Sequence, residues 1–205
     1  MKIITLPNGF FQVNTYILYK ENTCIIIDPG SGTKQILDII NKHSLKPQAI
    51  IATHGHIDHI EGAFASEKKF NIPFYISNED LPLFDKLSMQ ANLLGLSVPD
   101  KPQNIIKLPS DEKLTIEEFE FFVLHTPGHS QGSVSLLIQN NLFSGDTLFH
   151  NSIGRTDLFG GNFSTIIQSI KTKLFVLDPQ TIVYSGHGDL TTIKNEIDSN
   201  PFFRD

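Results

Sequence analysis

The chain has 205 residues, with 16 Lys and Arg against 22 Asp and Glu, a single cysteine and eight histidines. Its 40% hydrophobic and 19% charged content excludes a disordered chain, and a length below about 250 residues predicts one domain. A formal net charge of −6 with no basic run excludes the usual nucleic-acid footprint, and the lone Cys24 excludes an intramolecular disulfide and an all-cysteine zinc site.

The predicted elements alternate along the chain. Ile3 to Leu6, Phe11 to Tyr19 and Thr23 to Ile27 read as strands, being rich in β-branched and aromatic residues. Lys20-Glu21-Asn22 is the expected turn between the second and third. After the loop Asp28-Pro29-Gly30-Ser31-Gly32, the spacing of Ile36, Leu37, Ile39 and Ile40 predicts a helix. Ala49 to Ala52 reads as a short buried strand. Helices are expected from Ile60 to Phe70 and from 78 towards 97, the latter ending loop-like. Two hairpins follow, Lys113 to Ile116 with Phe119 to His125, and Ser133 to Ile138 with Leu142 to Ser144. Ser164 to Phe175 has helical spacing, Thr181 to Tyr184 reads as a strand and Ile193 to Ile197 as a final helix. Strands joined by tight turns among interleaved helices predict an α/β fold with mixed sheets in a single domain, residues 1–205.

Met1 to Gly9 hold no apolar stretch of signal-peptide length, and no run approaches the roughly 20 apolar residues that span a bilayer. The expectation is a soluble chain in a reducing compartment, the cytoplasm, with neither membrane nor nucleic acid as partner.

The strongest local pattern is His54-x-His56-x-Asp58-His59, directly after a strand. Residues two apart in an extended chain point the same way, so His54 and His56 can grip one ion. Asp58 and His59 fall where the chain turns into a helix and can hold a second. His129, Asp146 and His187 each follow an apolar strand-like run and a glycine, the place where loops on a rigid scaffold present reactive side chains. Together these make a dinuclear site. His54, His56 and His129 would take the first ion, Asp58, His59 and His187 the second, and Asp146 would bridge them, with a shared water completing the shell. Imidazole and carboxylate suit zinc first, and iron or manganese as well. His43 and His150 read as ordinary packing or surface residues. His125 precedes Thr126-Pro127-Gly128-His129 and reads as a supporting residue, not a ligand.

This order of motifs resembles the metallo-β-lactamase-fold hydrolases, whose fold is an αββα sandwich of two mixed sheets flanked by helices. The best-known zinc β-lactamases carry a cysteine where Asp146 stands. Thr126 to Ser133, Gly154-Arg155-Thr156-Asp157-Leu158, Gly186 to Thr192 and the ending Glu196 to Phe202 look like short glyoxalase II-like proteins, which hydrolyse thioesters such as S-lactoylglutathione. The Gly154 to Asp157 run also resembles persulfide dioxygenases, which use one iron held by the counterparts of His54, His129 and Asp146.

The resemblance implies a dinuclear metal-dependent hydrolase of a small thioester, with Asp58 catalytic as well as ligating. The alternatives are a mononuclear iron oxidoreductase and a non-catalytic member of the fold. Arg155, nine residues after Asp146 in a Gly-bounded loop, is expected either to bind a substrate carboxylate at the pocket mouth or to pair with Asp157.

Overall fold

The computed structural model describes residues 1–204. In chain order the strands are β1 (Lys2–Asn8), β2 (Val13–Lys20), β3 (Thr23–Ile27), β4 (Lys46–Ile51), β5 (Phe74–Ile76) and β6 (Ile105–Lys107), followed by β7 (Glu112–Ile116), β8 (Phe119–His125), β9 (Val134–Ile138), β10 (Asn141–Gly145), β11 (Leu148–Phe149), β12 (Ser152–Ile153), β13 (Ile182–Ser185) and β14 (Thr191–Thr192). The helices are α1 (Thr33–Lys42), α2 (Ile57–Ile60), α3 (Ala63–Phe70), α4 (Leu81–Phe84), α5 (Leu87–Leu94), α6 (Phe163–Ser169) and α7 (Ile193–Ser199).

The first six strands form one mixed sheet in sequential order. The second sheet runs β14-β13-β10-β9-β8-β7. Between the sheets, Tyr16, Leu18, Ile25 and Ile27 meet Phe119, Phe121, Val123 and Phe143. On the outer face of the first sheet, Ile17, Ile26, Ile50 and Phe74 pack against Ile36, Ile40, Ile57 and Leu87 of the helices. On the outer face of the second, Leu142 and Val183 pack against Ile166, Ile170 and Ile193. The result is helix, sheet, sheet, helix, as the family resemblance implies.

The patterning explains which strand lies where. β2 and β3 are buried on both faces, so they read as continuous apolar runs. β8 alternates, sending Phe119, Phe121 and Val123 inward and leaving Glu120 and Phe122 exposed.

Three expectations need correction. The helix predicted from Ile60 to Phe70 is two helices, α2 and α3, because the Gly62 N–H donates to the Pro29 carbonyl at 2.8 Å. A Cβ on Gly62 would overlap that carbonyl and the Gly30 one, so only glycine fits the crossing. The helix predicted from residue 78 is a 3-10 turn (Asn78–Asp80), α4 and α5, ended by Gly95 at φ +67°. The helix predicted from Ser164 to Phe175 is α6 continued as a π-helical segment, Ile170–Leu174. β5, β6, β11, β12 and β14 have two or three residues each and carry no periodic signal of their own.

Two parallel pairings decide what the strands deliver. In β3 and β4, Ile27 pairs with Ile51, so the residues just beyond, Asp28 and Thr53, meet. In β10 and β13, Gly145 pairs with Ser185, so Asp146 and His187 leave the sheet side by side. The two sheets are tied at this same edge. The Val134 N–H donates to the Thr53 carbonyl at 2.9 Å and the Asn14 N–H to the Gly186 carbonyl at 2.7 Å.

Phe143 is fully buried between the sheets, its ring centroid 5.0 Å from that of Tyr16 and 4.9 Å from that of Tyr184. Phe143→Ala should therefore cost about 3–5 kcal/mol in urea unfolding. A loss under about 1 kcal/mol would show that the inter-sheet core does not hold the sandwich together.

Candidate metal centre

Each site residue sits one to four positions beyond a strand end or at a helix start. His54 follows β4. His56 caps α2, and Asp58 and His59 lie in its single turn. His129 is carried by the β8–β9 connection, Asp146 follows β10 and His187 follows β13.

The structure brings the seven side chains together in overlapping groups: His54, His56 and His129; His54, His59 and Asp146; Asp58, His59 and His187. Within each group the ligand atoms lie within 4.8 Å of one another. His129 Nε2 is 2.8 Å from His56 Nδ1 and 3.2 Å from His54 Nε2. His59 Nε2 is 3.2 Å from His187 Nε2. Two imidazole nitrogens on one tetrahedral ion stand about 3.3 Å apart, so these spacings suit a shared ion. Asp146 spans the groups, with Oδ1 3.3 Å from His59 Nε2 and Oδ2 3.5 Å from His129 Nε2. Asp58 Oδ2 lies 3.4 Å from His187 Nε2.

The far side of each ring fixes which nitrogen faces inward. His129 Nδ1 donates to the Arg155 carbonyl at 2.8 Å and His187 Nδ1 to the Phe11 carbonyl at 2.9 Å. A carbonyl only accepts, so Nδ1 holds the proton and Nε2 keeps its lone pair for an ion. His59 Nδ1 donates to Asp28 Oδ2 at 3.0 Å. Asp28 also binds the Thr53 N–H and hydroxyl, each at 2.7 Å. The Thr53 hydroxyl, having given its own proton, accepts from His54 Nδ1 at 3.1 Å. His56 alone turns Nδ1 inward.

The electrostatics ask for a cation. Burial, then the neighbouring imidazoles, push the His54 pKa well below the ordinary 6.5. Burial and His129 push His56 down to about 3. Burial also disfavours a charged His59, but Asp146, Asp58 and Asp28 outweigh it and hold that ring protonated. Asp146 resists its burial in return and stays ionised, through His59, His129 and His54. Its buried Oδ1 nevertheless has no hydrogen-bond partner. An orphaned carboxylate oxygen beside inward-facing nitrogen lone pairs fits two divalent ions.

Exposure separates this centre from a closed structural one. His54 and His59 are buried, whereas the side chains of His187, Asp58 and Asp146 are 26%, 20% and 12% exposed and face a cavity of about 540 Å³. Catalytic centres keep such an open side. Gly186 makes the close packing possible, since a Cβ there would overlap Asp146 Oδ1.

His125 stands apart: its Nε2 bonds the Gln131 carbonyl at 2.9 Å. His43 and His150 also lie outside the groups that could hold an ion among the described residues. Arg155 lines the cavity, and its guanidinium is bound by Asp157 through two contacts of 2.7 and 2.8 Å. The pairing with Asp157 is the one expected from the sequence, and the position at the cavity is the one that the carboxylate-binding reading requires.

Sequence reasoning missed Asp80. This buried carboxylate accepts from the Gly55 N–H at 2.8 Å, and from the Ser130 hydroxyl and the Gly132 N–H at 2.7 Å each. It thus pins the His54–His56 loop to the His129 loop. Burial raises its pKa while those donors lower it, the net direction being upward. No local motif announces Asp80, which sits in a stretch read as helix.

The family model described as the metallo-beta-lactamase superfamily matches residues 8–187. Hydroxyacylglutathione hydrolase GloC of Haemophilus influenzae is 36% identical over 211 residues, covering 98% of each chain. Among solved structures, the BLEG-1 B3 metallo-beta-lactamase superposes with a TM-score of 0.93 at 41% identity, covering 98% of this chain and 99% of that one. TTHA1623, solved in a di-iron-bound form, superposes at 0.89 with 34% identity, covering 98% of this chain and 100% of that one.

The two candidate histidines in one connection can be told apart. His129→Ala should abolish metal-dependent activity and lower metal content. His125→Ala should lose about 10–100-fold at most, the range for a residue that only supports the centre. Elemental analysis beside turnover reads both, and the reverse ranking would overturn the assignment of His129.

Proposed function

This chain belongs to the metallo-β-lactamase superfamily, whose members include metal-dependent hydrolases, and from that premise we propose that it hydrolyses a small thioester at a dinuclear centre. The observation that carries the reading is the half-open centre. His54, His56 and His129 would hold one ion, Asp58, His59 and His187 the other, and Asp146 would serve both. Zinc is the first choice for this donor set, although the di-iron form of TTHA1623 supports testing iron equally. Likeness to GloC supports a thioester substrate of the S-lactoylglutathione type.

Two bound ions would polarise the carbonyl, bring the pKa of bound water towards about 7 and stabilise the charge that develops in the transition state. The protein supplies the rest. Asp58 stays ionised because His59 and His187 outweigh its burial, and it faces the cavity beside His187. There it would orient the attacking water and accept its hydrogen bond. The buried anchors Asp28 and Thr53 keep the His59 and His54 rings from turning and Asp80 holds the loops of His56 and His129, so little reorganisation is needed at the moment of reaction. A thiolate leaves readily, so no side chain has to act as general acid.

Arg155 would recognise a substrate carboxylate by exchanging it for Asp157. Both ion pairs are exposed, so the exchange costs little. Such a contact is made alike in ground and transition states, and its loss raises KM.

The test is a panel of thioesters, a chromogenic cephalosporin and an oxygen electrode on one metal-quantified preparation. Thioester turnover with two ions per chain is expected. The likeness to BLEG-1 makes dominant β-lactam turnover the outcome that would contradict the substrate class. Oxygen uptake with about one iron per chain would favour the persulfide dioxygenase reading. Arg155→Ala should keep both metals and kcat within a few fold while raising KM for anionic thioesters alone. An equal loss on neutral thioesters would give that loop a structural role instead.

A further inference from the structure

The wall opposite the metal ligands is carbon. Met89 and Leu93 of α5 and Phe159 of the loop after Arg155 all line the cavity, yet they are 56%, 74% and 51% exposed. Phe11, Phe149 and Leu158 continue the same lining. Exposed apolar side chains scattered singly mean little, but several converging on one cleft mark a binding surface.

The cations of the cavity are already engaged. Arg155 is held by Asp157, and the Lys86 ammonium sits 4.1 Å above the centroid of the Phe159 ring. That contact joins the turn before α5 to the Arg155 loop across the cavity mouth. Away from the metal ligands, the cavity's cations are thus Arg155, paired with Asp157, and Lys86, set over Phe159, and no carboxylate lines it among the described residues. A cavity of about 540 Å³ also exceeds what a lactoyl-sized acyl group occupies.

We propose that the substrate carries a bulky apolar group next to the scissile bond, an alkyl or aromatic group of roughly six to ten carbons by the fit of ligand-sized pockets, seated between α5 and the loop 154–161. This rests on the thioesterase reading only for the bond that is cleaved. The apolar seat is a property of the walls. Burying an alkyl chain against Met89, Leu93 and Phe159 removes apolar surface of both partners from water, so affinity must grow with chain length. A polar carrier thiol would draw its affinity from Arg155 and not from these walls.

The experiment separates binding from turnover. Metal-loaded protein is titrated in a calorimeter with (methylthio)acetate and (octylthio)acetate, unreactive thioethers that share one carboxylate and differ only in alkyl length. The octyl compound should bind about tenfold more tightly or better. The double variant Met89→Gln, Leu93→Gln, at exposed helix positions that accept Gln, should bring that ratio towards one. In parallel, kcat/KM is measured for acyl thioesters of two to ten carbons and for S-lactoylglutathione. A rise with chain length supports the proposal. Equal binding of methyl and octyl thioethers overturns it, whatever the protein hydrolyses. Chain-length-dependent binding with no thioester cleaved would leave the apolar seat standing and overturn the thioesterase reading instead.

Discussion

Five imidazoles and two carboxylates are forced to within a few ångströms of one another at the edge where the two sheets meet. Such a cluster cannot be neutral, dry and satisfied at once. His54 and His129 turn Nε2 lone pairs inward, His59 is held protonated among three carboxylates, and Asp146 keeps one buried oxygen without a partner. An unsatisfied buried group of that kind costs about 1–3 kcal/mol, more when charged. Divalent cations would resolve the conflict, by displacing the His59 proton and accepting lone pairs from the rings and the carboxylates together.

Much of the rest of the structure serves that convergence. The parallel registers of β3 with β4 and of β10 with β13 bring Asp28 to Thr53, and Asp146 to His187. Backbone carbonyls of Phe11 and Arg155 choose the tautomers of His187 and His129. Asp80 holds two ligand-bearing loops at a fixed separation. Arg155 thus touches the centre through its carbonyl, while its side chain looks to the cavity. The open side of the centre then meets a cleft whose walls are largely apolar, which would join the chemistry of bound ions to the shape of a substrate.

The parts legible in the sequence are those with a local signature. The strand that runs into His54-x-His56 was visible because apolar periodicity stops where ligand spacing begins. The three later ligands showed themselves as a glycine and a metal-binding side chain after an apolar run. The resemblance to the family supplied the sandwich. What stayed hidden depends on contacts far apart in sequence. The break between α2 and α3 is dictated by Pro29, and nothing near Gly62 reports it. β5 and β6 are strands because β4 offers a free edge, not because three residues have a pattern. Asp80 lies 25 residues from Gly55 and 52 from Gly132, so its role exists only after folding. The pairing of Arg155 with Asp157 is legible as a two-residue spacing, and its place at the cavity as a loop shortly after Asp146.

The claim on which everything turns is that one carboxylate, Asp146, is shared by two ions. A crystal structure of the metal-loaded protein, with diffraction recorded at the absorption edge of the metal found by elemental analysis, tests it most directly. Two anomalous peaks about 3.5–4 Å apart, one beside His54, His56 and His129 and one beside Asp58, His59 and His187, with Asp146 between them, are the expected result. A single fully occupied peak in an active preparation, or two peaks with Asp146 bound to neither, would contradict it.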